Sequence, residues 1–309
     1  MEDCTFKWQY YLIRNSLLVS SVLCNCETWF NLTKAELDLL ESVDLMLLRK
    51  ILGTPISTPK EMIYLELVLI PFREIIRQRR LNFLHYILTQ DEDTIIYKVF
   101  QKQNQERHKK DWVSSVVMDL DEIRLNVTFE EIKKTSKMTW RNTIRKFIEK
   151  NAFRKLERMK QTHSKVKDIK HIKLKMQDYF LPNSIKNVTM QEIQLIFQMR
   201  SKVINLKLNM KSRYETLECQ ACLLENESQQ HVYECEQIWS KRDIKNIEKP
   251  MYENIIWGNV IQKIKVARIF NENMKILERI REKKCNLTVP GDRLISSLQY
   301  CVNTDWKYI

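Results

Sequence analysis

A chain of 309 residues with only three glycines has little freedom to build tight hairpins or phosphate-cradling loops. Both devices need residues that adopt positive φ or let backbones approach closely. Prolines are also few, at six. Hydrophobic residues make up 44% of the chain, enough to bury a sizeable core. The economical solution is a set of long helices, and the sequence predicts an all-α fold of helical bundles.

Helix starts are written into the chain. Thr33-Lys-Ala-Glu36, Thr128-Phe-Glu-Glu131 and Thr189-Met-Gln-Glu192 each match a capping box. In that motif a threonine oxygen accepts an orphan backbone N–H and a glutamate three residues on reaches back. After Thr33, Leu37, Leu40, Leu47 and Ile51 recur at helical spacing, and Gly53 ends the run. Thr58-Pro59-Lys60-Glu61 predicts a second start, with proline at the first helical position. A third helix begins at Pro71, with Phe72, Ile75, Ile76, Phe83, Leu84, Ile87 and Leu88 as its apolar stripe. Further helices are expected near residues 92–103 and 111–125, with the polar stretch 101–110 as a loop. A long helix from Lys137 to Lys160 should bury Trp140, Ile144, Phe147, Ala152, Leu156 and Met159. Another is expected from Thr189 to about Ile204, and one continuous helix from Tyr252 to Lys284.

The net charge of +13 is not spread evenly. Residues 133–175 hold 16 Lys and Arg against three Asp and Glu, which equals the excess of the whole chain. Such a block is an electrostatic footprint for a polyanion, or else a solvated basic helix.

The sharpest chemical signal is Cys219-Gln-Ala-Cys222, eight residues, His231, three residues, Cys235. Two thiols two residues apart can grip one metal from a turn. A His and a Cys from the start of the next helix can close a tetrahedron. Zn²⁺ favours four N/S ligands in such closed structural sites. The order Cys-Cys-His-Cys resembles a zinc knuckle, and the polar stretch 225–230 reads as module surface. The other cysteines, Cys4, Cys24, Cys26, Cys285 and Cys301, form no such pattern.

Catalytic signals are missing. No P-loop, nucleophile elbow or His-Glu-x-x-His occurs. The acidic groups Asp91/Glu92/Asp93 and Asp119/Asp121/Glu122 fall at helix starts or on polar faces, where no metal is needed to explain them. His85, His108, His163 and His171 form no cluster. No enzyme, no small-molecule substrate and no membrane association is expected. Cysteine usage points to a reducing compartment, nucleus or cytoplasm.

Six short runs carry a resemblance: Arg14-Asn-Ser-Leu-Leu18, Cys26-Glu-Thr-Trp29, Leu39-Leu-Glu-Ser-Val-Asp44, Leu48-Arg-Lys-Ile-Leu52, Tyr64-Leu-Glu-Leu67 and Arg79-Arg-Leu-Asn-Phe-Leu-His-Tyr86. Their order resembles the region after the palm in non-LTR (LINE-type) retrotransposon reverse transcriptases. There a helical thumb, a basic linker and a Cys-Cys-His-Cys knuckle follow one another. The resemblance covers roughly residues 8–240. It implies a thumb-like bundle at 1–90, a basic helical linker at 91–210, a knuckle at 211–240 and a helical tail at 241–309. It also implies the C-terminal part of an element-encoded polyprotein, with the missing palm and fingers as a partner. The aromatic-x-Asp-Asp motif of the palm is absent, and so are endonuclease signatures. The knuckle has three residues between His231 and Cys235, where many have four.

The expected guest is RNA, DNA or a template–primer hybrid. Arg141, Arg145, Lys146, Arg154, Lys155 and Arg158 are the expected phosphate contacts on the long helix. Arg77, Arg79 and Arg80 either touch the nucleic-acid backbone or bridge helices. Tyr233 and Trp239 are candidates for stacking on bases, with packing on the knuckle's own helix as the alternative for Trp239. Two other readings remain open: a helical interaction module stapled by zinc, and a decayed open reading frame.

Overall fold

The computed structural model describes residues 12–106, 108, 110–162, 178–180, 188–209, 216–242 and 249–287. Among them there is no strand, only one isolated antiparallel bridge between Glu218 and Asn226. The fold is all-α. Two compact units divide at residues 184/185. No helix among the described residues is long and apolar enough to cross a membrane.

Unit 1 opens with a wound stretch, Leu12–Leu18 running into α1 (Val19–Val22), and continues through α2 (Lys34–Ile51), α3 (Lys60–Leu67), α4 (Phe72–Leu88), α5 (Ile95–Glu106), α6 (Trp112–Ile123), α7 (Phe129–Lys134) and α8 (Lys137–Thr162). Thr33 and Thr128 form the capping boxes expected of them, each accepting from the N–H of the glutamate three residues on. Asp111 caps α6 in the same way, through the N–H of Ser114 at 2.7 Å. The expected loop at 101–110 is shorter than that, because α5 runs on to Glu106.

Helix α4 is the hub. It packs on α8, on α6, on α2 and on the turn Cys26–Thr28. Leu81, Leu84, Ile87 and Leu88 of α4 share one core with Phe100, Trp112, Val116, Ile123, Ile132, Trp140, Ile144 and Ile148. That core runs across the expected boundary at 90/91. The Trp140 indole N–H donates to the Leu81 carbonyl at 2.9 Å, so the ring is fixed as well as buried. The buried line of α8 is Trp140, Ile144, Ile148, Ala152, Leu156 and Lys160; Phe147 packs at the edge of the core and Met159 is half-buried.

The face that α2 buries is not the expected leucine stripe. Glu41, Asp44, Leu45 and Leu48 are its buried residues, while Leu37, Leu40, Leu47 and Ile51 are only half-buried. Asp44 turns the face inward because Arg14 meets it with two parallel bonds of 2.8 Å. The same guanidinium donates to the Ile70 carbonyl and lies over the Phe72 ring. A fork-to-fork pair of this kind is among the stronger polar contacts a core can hold.

Unit 2 contains α9 (Met190–Ser201), α10 (Gln229–Glu234), α11 (Glu236–Trp239), α12 (Asn254–Trp257) and α13 (Val260–Leu287). Thr189 forms the third expected capping box. Helix α13 receives α9, α10, α11 and α12 along its length. The expected continuous helix from Tyr252 is broken at Gly258. A Cβ there would sit 2.5 Å from the Asn254 carbonyl oxygen, so only glycine permits the bend. Asn259 and Gln262 then exchange backbone-to-side-chain bonds and restart the helix.

Candidate metal centre and basic helix

Cys219, Cys222, His231 and Cys235 come together as the sequence predicts. One ligand atom from each lies within 4.8 Å of all the others. The local backbone explains why. The Cys219 N–H donates to the Glu225 carbonyl at 2.7 Å, closing a small loop. The Leu223 N–H returns to the Cys219 carbonyl at 2.8 Å and holds Leu223 at φ 60°, left-handed backbone that a leucine rarely takes. Ser228 caps α10 through the His231 N–H at 3.0 Å and so sets that helix's first turn. Cys235 stands at the joint between α10 and α11.

The histidine is oriented for coordination. Its Nε2 lies 3.3 Å from the Cys222 sulfur, and its Nδ1 lies 3.1 Å from a Glu225 carboxylate oxygen. A proton on Nδ1 shared with Glu225 leaves the Nε2 lone pair facing the thiols. A carboxylate behind a ligating imidazole is the usual way a metal site fixes its tautomer.

The three thiols differ in acidity but share one feature, backbone N–H donors aimed at the sulfur. Burial pushes the Cys219 thiol up to about 12, against backbone N–H groups of Cys222 and Ala221 that favour its thiolate. Burial also raises Cys235, against the N–H groups of Ile238 and Gln237. At Cys222 burial acts upward too, but the N–H groups of Leu224 and Glu225, together with His231, outweigh it and bring the thiol to about 7. Each sulfur therefore faces two backbone donors. A thiol that only fills space needs none; a thiolate that holds a cation is stabilised by them. The donor set, three sulfurs and one imidazole nitrogen around one point, fits a metal ion.

Glu225 was not recognisable from the sequence, because it lies in a polar stretch that reads as surface. That reading needs correcting for two neighbours: Glu227 and Gln229 are buried. Glu227 accepts from the Lys207 N–H at 3.1 Å and pairs with Arg281 of α13, tying the metal loop to the rest of unit 2. A Glu225→Gln variant should keep the fold and lose metal affinity by about 10- to 100-fold, read by competition with a chromogenic chelator. Unchanged affinity would remove Glu225 from the site.

No family model, no curated protein and no solved structure matches the chain.

The expected nucleic-acid contacts divide into two groups. Arg141, Arg145, Lys146 and Arg158 are exposed on α8, and Arg154 is half-exposed. None of these five forms an ion pair among the described residues. The others point inward, and their role as phosphate contacts is corrected accordingly. Arg77 and Arg80 both bind Asp119, at 3.0 Å each, and Arg77 also binds Glu74 at 2.5 Å. Arg79 donates to the Leu23 carbonyl at 2.5 Å. Lys155 bridges Glu74 at 2.9 Å and Glu122 at 2.6 Å. Tyr233 has no exposed surface and donates its hydroxyl to the Pro250 carbonyl at 2.7 Å, so it cannot stack on a base. Trp239 donates to the Tyr233 carbonyl at 2.6 Å, and Arg242 and Lys249 each lie 4.5 Å from its ring centre. His163, His171 and the lysines from Lys165 to Lys175 lie outside the described residues.

Proposed function

We propose that the protein binds nucleic acid, RNA or a template–primer hybrid, through the outward face of α8, and that it performs no catalysis on it. The observation that carries this reading is a long helix on which Arg141, Arg145, Lys146, Arg154 and Arg158 form no ion pair among the described residues. Five arginines elsewhere in unit 1, Arg14, Arg73, Arg77, Arg79 and Arg80, are taken up by ion pairs or a backbone carbonyl. Exposed cations left unpaired on one helix suit a phosphate backbone. The resemblance to the thumb, basic linker and knuckle of non-LTR retrotransposon reverse transcriptases supports the same reading, with nucleus or cytoplasm as the compartment and the element's palm and fingers as a protein partner.

The metal in this reading is Zn²⁺, held by Cys219, Cys222, His231 and Cys235 in a structural role. A closed set of three thiolates and one imidazole leaves no open position for substrate. Its work is to hold the 216–242 segment against α13, where Asn273 donates to the Val232 and Tyr233 carbonyls at 2.9 and 3.2 Å. The inward placement of Tyr233 favours a staple over a base-reading finger.

Neutralising Arg145, Lys146 and Arg154 together should weaken RNA binding and lower the slope of log K against log salt by about two to three, at ~0.7–0.9 per lost phosphate contact. The check is fluorescence anisotropy over a salt series. An unaltered slope would take α8 out of the interface.

A further inference from the structure

The cations on α8 are ordered. Lys146, Lys150, Arg154 and Arg158 follow at intervals of four residues, and the buried line Ile144, Ile148, Ala152, Leu156 and Lys160 keeps the same interval. Members of the two lines stand two residues apart, which is about 200° around a helix of 3.6 residues per turn. The cation row therefore stays opposite the core along its length instead of winding into it. At 1.5 Å per residue the four heads step by about 6 Å and cover about 18 Å.

One aromatic ring stands beside the first two cations of this row, about 100° round the helix from Arg154. Phe153 is 40% exposed. The other two aromatics of α8 are engaged inward: Trp140 is buried, and Phe147 packs on the core. Phe153 follows Lys150 by three residues and Lys146 by seven, so it shares their face. The carboxylates beside it are Glu149 and Glu157, and Lys160 holds Glu157 at 3.0 Å.

From this placement we infer that α8 binds a single-stranded segment, with an unpaired base stacked on Phe153 and successive phosphates on Lys146, Lys150, Arg154 and Arg158. The inference rests on the nucleic-acid reading above and adds a strand preference to it. A duplex offers phosphates to the row but no free base face to the ring. A single strand offers both, and rings set within a basic track are how proteins bind unpaired strands regardless of sequence. An anionic membrane suits α8 less well. A basic amphipathic helix inserts by its apolar face, and here that face is already occupied by the core of unit 1.

The test uses the full, zinc-loaded chain. Anisotropy is measured on a mixed-sequence single-stranded RNA and on the duplex of the same sequence, for the wild-type protein and for Phe153→Ala and Phe153→Trp. Alanine is the best helix former and the site is exposed, so the helix persists; the circular dichroism of each variant checks this. Phe153→Ala should weaken single-strand binding at least about fivefold, leave the duplex unchanged, and be rescued by Phe153→Trp. Equal losses on both substrates, or no loss on either, overturn the stacking role while leaving the nucleic-acid reading intact. Absence of salt-sensitive binding by the wild-type chain to either substrate overturns both.

Discussion

In a Cys222→Ser variant the Zn²⁺ proposed for the quartet is expected to be lost and residues 216–242 to lose their order, while unit 1 unfolds as before. The segment cannot hold itself together. Its helices α10 and α11 have six and four residues, far below the length at which a helix persists alone. Cys219, Val232, Tyr233, Cys235 and Ile238 are its buried hydrophobic residues, and two of these five belong to the candidate metal quartet. For small zinc modules the binding free energy, about 10–16 kcal/mol at neutral pH, is in effect the folding free energy. Here the contacts that Asn273 and Arg281 of α13 make with Val232, Tyr233 and Glu227 supply some of the remainder, so the loss should be local. Serine keeps the size of the side chain but replaces a soft thiolate by a hydroxyl that zinc binds poorly. Two measurements check the result: zinc per chain by atomic spectroscopy, and hydrogen exchange across 216–242. Full zinc stoichiometry in the variant would dissolve the site. Lost zinc with unchanged protection would show that packing on α13 is sufficient without metal.

The metal quartet was legible because its chemistry is carried by rare residue types at fixed spacing. The three capping boxes were legible for a similar reason, since each is completed within four residues. What could not be read was set by partners far away in the chain. The expected leucine stripe of α2 gives way to a face holding Asp44, and only Arg14, thirty residues earlier, makes that burial tolerable. Arg77 and Arg80 sit in a stretch that looks like an exposed basic strip until Asp119 is brought beside them. Tyr233 lies in a polar neighbourhood of the sequence, yet the fold closes Pro250 and Tyr252 over it. Glu225 is one glutamate among several, and its role follows only from where the His231 ring points. Local patterns thus gave the helices and the metal ligands, while the sorting of charges into core and surface needed tertiary structure.

That sorting has a measurable consequence at Asp119. Its carboxylate is held at 3.0 Å by both Arg77 and Arg80, inside a unit whose core helices α4 and α6 it joins. Burial raises the Asp119 pKa despite the two guanidinium groups, and burial likewise lowers that of Arg80 despite Asp119. Both directions say that desolvation outweighs attraction at this pair. Such a pair adds little net stability compared with apolar neighbours, but it is expensive to break from one side. Asp119→Ala leaves Arg80 buried beside Arg77 with no counter-charge, and should lower the stability of unit 1 by about 3–5 kcal/mol. Arg77 is cushioned, because Glu74 still holds it at 2.5 Å. The double variant Arg80→Met with Asp119→Leu removes both members and fills their space with methylenes, so it should lose less than the single variant. Urea unfolding followed by tryptophan fluorescence can rank the three proteins, and the order is the test. If Asp119→Ala stays within about 1 kcal/mol of the parent, these arginines are not committed to the core, and their place among the phosphate contacts reopens. If the predicted order holds, their charges are consumed inside unit 1, and the positive surface left for a polyanion is the outward row of α8.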